Sequence, residues 1–142
     1  MDFLQAGFIF ALLMCAGYAS LFGGRTGQAG SVIFILATVF TALGTLLNPT
    51  WGSISYAVLA VDSGCLLLLA ALAVNSNRFW PIWAVGFQMV AVATHVATFW
   101  IPDIVPKAYQ AILSFWSIPI IWVMVIGTRK DRRYERDTAR KG

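Results

Sequence analysis

Five continuous apolar runs, each close to twenty residues long, constrain this chain more than any other feature. A helix needs about 20 apolar residues to cross the hydrocarbon of a bilayer. The runs lie at about 4–22, 31–47, 54–74, 80–100 and 107–127. Barrel strands would alternate apolar and polar residues over about 10 positions. These runs do not alternate and are roughly twice that long. Backbone groups in lipid must be paired within their own segment, so the pattern predicts helices. The expected fold is an all-α, polytopic membrane bundle of five transmembrane helices over residues 1–128. A basic tail follows over 129–142.

Composition agrees. The chain is 59% hydrophobic and 11% charged, whereas soluble domains carry about 25% charged residues. Seven of its ten Lys and Arg fall between Arg129 and Lys141. The net charge of +4 therefore describes a tail, and its interleaved acids argue against a nucleic-acid arm. The first run follows Met1-Asp2-Phe3-Leu4 without a positive n-region, which makes it a retained span.

Breaks between the runs are marked by turn chemistry. Gly23-Gly24-Arg25-Thr26-Gly27 separates spans 1 and 2, Asn48-Pro49 closes span 2, and Asn75-Ser76-Asn77-Arg78 closes span 3. Pro81 suits the first turn of span 4. Pro119, inside span 5, predicts a kink. With five spans, Arg25, Arg78 and the seven tail cations share one side, and Lys107 stands on the other with Asp2 and Asp103. Nine positives against one predict the N-terminus outside and the C-terminus in the cytoplasm, in a bacterial inner membrane. Trp51 and Trp100 then mark the outer interface, and Trp80 and Trp83 the inner one.

Two stripes stand out. Gly7, Ala11, Cys15 and Ala19 form a small-residue ladder on span 1, suited to close packing within the chain or against a partner. On span 4, Ala84, Gln88, Ala91, His95 and Thr98 share one face, a polar and small stripe that faces protein or water rather than lipid. Asp62 is the single acidic residue inside a span. Counting from the span ends, it lies roughly 12 Å deep, between His95 at roughly 7 Å and Gln88 at roughly 18 Å. An antiparallel hairpin of spans 3 and 4 would bring Asp62 within reach of either. Lys107, Tyr109, Gln110, Ser114 and Ser117 at the start of span 5, with Tyr56, would complete a polar cluster in the outer half. The cluster reads as interhelical glue or as a ligand or proton-relay site. Arg129, Lys130, Arg132 and Arg133 sit where a tail meets anionic lipid headgroups.

Chemistry has little to build on. The two cysteines, Cys15 and Cys65, lie in apolar runs without a CxxC spacing. One histidine and one intramembrane acid give no metal set, and a lone His95 rules out bis-histidine haem within one chain. No hydrolytic triad or phosphate loop is present. The sequence names no cofactor. In span number and its six tryptophans the chain resembles the tryptophan-rich sensory proteins, relatives of the translocator protein. That family's tryptophan–proline motif has no counterpart at Gly23–Gly30, so none of its ligands is carried over.

The expected function is that of a non-enzymatic membrane protein acting through helix contacts, as an accessory subunit of a larger complex or as a homo-oligomer. Its partners would be membrane lipids and other membrane subunits or itself. The alternative is a binder or carrier of a small apolar molecule (a quinone or a lipid), an ion or a proton, using the outer polar cluster.

Overall fold

A computed structural model describes residues 3–47, 56–100 and 106–140; within these, the side chains of residues 3–6, 45, 47, 98–100 and 106–117 lie outside the description. The described chain is all-helical: α1 (Phe3–Phe22), α2 (Gly24–Leu47), α3 (Tyr56–Asn75), α4 (Trp80–Trp100) and α5 (Pro106–Ala139). The helices pack in chain order, and the ring closes where α5 meets α1. Short connections make sequence neighbours antiparallel. Among the described residues, three helices are long and apolar enough to cross a membrane, over Gly24–Gly44, Tyr56–Asn75 and Trp80–Ala97; Gly7–Phe22 is a shorter apolar stretch. Their large apolar side chains are mostly exposed, including Leu36, Val39, Leu67, Leu68, Ile82 and Met89. Water does not tolerate apolar surface on that scale, so the fold points to a membrane location.

The interior is narrow. It contains Leu12, Ala16 and Ala19 of α1, Phe34 of α2, Cys65 and Leu69 of α3, Trp80 and Ala84 of α4, and Ile120, Ile121 and Met124 of α5. Small residues on α1 let its neighbours approach. Ser31 on α2 uses the proximity: its hydroxyl is shared between Ala16 O and Gly27 O, each at 2.8 Å.

The α1–α2 corner differs from the expected turn over Gly23–Gly27. Helix α2 begins at Gly24, and the reversal is made at Gly23. Gly23 N donates to Ala19 O at 2.7 Å, Gly27 N donates to Gly23 O at 3.0 Å, and Gly24 adopts φ +58°. That left-handed backbone suits glycine. A Cβ on Gly23 would stand 2.5 Å from Ala19 O, and one on Gly27 would collide with the same oxygen. The glycines therefore serve close helix approach, and the first α2 turns carry Arg25 and Gln28 exposed.

One further expectation changes. Trp80 is not an interfacial anchor: it is 3% exposed, wedged between Gly30 of α2 and Gly127 of α5. Trp83 is exposed; Trp51 and the Trp100 side chain lie outside the described residues. Helix α5 runs through Pro119 and on across the 128/129 boundary to Ala139, so the basic segment is a helical extension of the bundle.

Candidate functional site

The hairpin of α3 and α4, joined by residues 76–79, sets the geometry. Asp62 lies six residues into α3, roughly 9 Å along it, while His95 lies five residues before the end of α4. Both therefore sit toward the end of the hairpin opposite its connection. Gln88 and His95 are seven residues apart, two helical turns, and so share a face.

The structure brings these three side chains together. His95 Nε2 stands 2.8 Å from Asp62 Oδ2. Gln88 Nε2 donates to Asp62 Oδ1 and to the Asp62 backbone carbonyl, each at 3.3 Å. One helix thus engages both carboxylate oxygens. The site is dry on the α4 side, where the His95 side chain is 4% exposed and Gln88 6%, and more open at Asp62, whose side chain is 22% exposed. An ionised carboxylate in hydrocarbon needs such donors. The 2.8 Å contact accommodates two proton arrangements: an Nε2–H facing a carboxylate, or a carboxylic acid facing a bare Nε2. Cys65, one turn beyond Asp62, is buried and has a free thiol.

Other predicted residues are distributed differently. On the span 1 ladder Ala19 is buried and Cys15 half-buried, whereas Gly7 and Ala11 are exposed. Ala84 is fully buried and Ala91 half-buried. Tyr56 is exposed. The side chains of Thr98, Lys107, Tyr109, Gln110, Ser114 and Ser117 lie outside the described residues. Among the described residues no three His, Cys, Asp or Glu side chains could hold a metal ion.

A second polar centre, not anticipated from the sequence, lies at the opposite end. Arg78 in the α3–α4 connection donates to Glu135 and stands 3.6 Å from Asp131. Hydrogen bonding to Glu135 raises the Arg78 guanidinium above its ordinary range. Burial raises the Asp131 carboxyl despite the opposing pull of Arg78. The four-residue spacing of Asp131 and Glu135 on one helix face was the available signal; the cation that would meet it was not legible. Thr128, one turn earlier, is fully buried with no hydrogen-bond partner for its hydroxyl among the described residues.

No protein-family model, curated protein or solved structure matches this chain.

Proposed function

We propose that this chain is a five-span protein of the bacterial inner membrane, with its N-terminus outside and its C-terminus in the cytoplasm, and that Asp62, His95 and Gln88 form a proton-binding relay in its outer half. The single observation that carries the relay is the 2.8 Å approach of His95 Nε2 to Asp62 Oδ2 inside an apolar bundle. Ionisable groups at such depth are rare and mark ion or proton pathways. The bias of nine cations to one supports the orientation. In this reading Gln88 holds the carboxylate in place, and His95 takes or returns the proton. Partial exposure of Asp62 leaves the carboxylate as the entry point.

The test is proton flux in liposomes carrying the purified chain and an internal pH indicator. The wild type is expected to dissipate an imposed pH gradient faster than empty liposomes, and Asp62→Asn and His95→Gln to lose the effect. Equal dissipation by all three proteins would overturn the relay. Since His95 is the single histidine, nitrogen-labelled histidine supplies an isolated NMR readout. Its Nε2 environment should change in Asp62→Asn.

A second reading is favoured by the exposed end of the α1 ladder. A Cβ added at Gly7 would meet nothing within 4 Å, and Ala11 is also exposed. We infer from this an accessory or self-associating role through close helix contacts. Mass measurement after gentle extraction separates the readings, because Gly7→Leu would disrupt an assembly and leave proton flux intact.

A further inference from the structure

The basic extension of α5 is two-faced. Asp131 and Glu135 turn toward Arg78. Arg129, Arg132, Arg133 and Arg136 recur at steps of three, one and three, which places them on one other stripe. Among the described residues no carboxylate pairs with any of these four side chains. With Tyr18 of α1 they line a cleft of about 170 Å³. Arg132 is steadied by stacking, its guanidinium carbon lying 4.1 Å from the centre of the Phe22 ring. Stacking on a ring face leaves the N–H edge of a guanidinium available to oxygen. Arg129 and Arg133 also line an adjoining cleft of about 220 Å³ with Lys130 and Ile126. Ile126 is exposed and apolar, one turn nearer the bundle.

We propose that this cleft between α1 and α5 binds the phosphate headgroup of an anionic phospholipid. Guanidinium groups match phosphate oxygens in forked geometry. Tyr18 is half-buried and provides a phenolic hydroxyl at the cleft wall. Ile126 lines the adjoining cleft, which shares Arg129 and Arg133, so an acyl chain can run along Ile126 while its phosphate meets the arginines. Asp131 and Glu135 are taken up by Arg78, and Asp137, the one acid on the arginine side, forms no ion pair with the stripe among the described residues, so four arginines face the cleft against a single carboxylate. This inference rests on the membrane location and is independent of the proton relay.

The experiment is native mass spectrometry of the full chain in micelles doped with dilute phosphatidylglycerol or phosphatidylcholine, with inorganic phosphate as competitor. Phosphatidylglycerol should be retained and phosphatidylcholine should not. The double variant Arg129→Gln/Arg133→Gln should lose retention about tenfold or more, as expected for charge-assisted contacts. Arg25→Gln/Arg140→Gln removes the same charge from residues that line neither cleft and should leave retention unchanged. Equal losses in the two double variants would mean diffuse attraction and would overturn the site. Complete displacement by millimolar phosphate would overturn the lipid assignment in favour of a free-phosphate site.

Discussion

Removing His95 tests whether its contact with Asp62 is an ion pair or ordinary interhelical glue. The two cases differ in magnitude. Polar contacts between membrane helices average about 0.6 kcal/mol, with a maximum near 1.7. A hydrogen bond to a charged group is worth about 1.5–3 kcal/mol. His95 and Gln88 are both buried and both engage the carboxylate, which favours the upper range; the 22% exposure of the Asp62 side chain argues against the extreme. We therefore expect a double-mutant cycle of Asp62→Asn and His95→Gln to yield a coupling of about 1.5–2 kcal/mol. His95→Ala, which leaves the carboxylate facing a cavity, should cost about 3–5 kcal/mol when Asp62 is present and markedly less in the Asp62→Asn background. The assay is reversible unfolding in mixed micelles titrated with a denaturing detergent. Additive effects, with a coupling below about 0.5 kcal/mol, would refute the pairing and with it the relay.

Two further expectations concern packing and charge. A Cβ at Gly127 would overlap the Trp80 Cβ and lie 2.6 Å from its Cγ, atoms that cannot swing aside, so Gly127→Ala should destabilise by about 1–3 kcal/mol while Gly7→Ala is neutral or slightly stabilising in the same unfolding assay. At the other polar centre, Glu135→Gln should weaken the bundle by about 0.2–1 kcal/mol, the range for exposed ion pairs, and high salt should erase the difference. Asp131 behaves oppositely, because its carboxyl is raised in the fold, chiefly by burial. Its stabilising increment is present below the ordinary aspartate value of 3.8 and is lost as pH rises through the higher folded value. Asp131→Asn should flatten the stability curve in that acid window, and an unchanged curve would contradict the assignment.

The helices were legible because run length is a one-dimensional property. An apolar stretch near twenty residues must pair its own backbone whatever surrounds it, and α1, α3 and α4 start and stop within two residues of the sequence reading. The approach of Asp62 to His95 and Gln88 was legible for a related reason: helical rise converts residue number into distance along a helix, and a short connection fixes the neighbour. Other features had no local signal. A run of glycines reads as a turn, and α2 becomes helical there because Ala19, Gly23 and Gly27 approach closely enough to exclude side chains. A tryptophan at a span end reads as an interfacial anchor, and Trp80 is buried because Gly30 and Gly127, fifty and forty-seven residues away, leave a slot of its size. Asp131 and Glu135 read as part of a mixed-charge tail until Arg78 is placed beside them. Chain-local chemistry thus determined which segments are helical and where along each helix its polar groups lie, while contacts between distant residues decided which faces are covered and which charges are left unpaired.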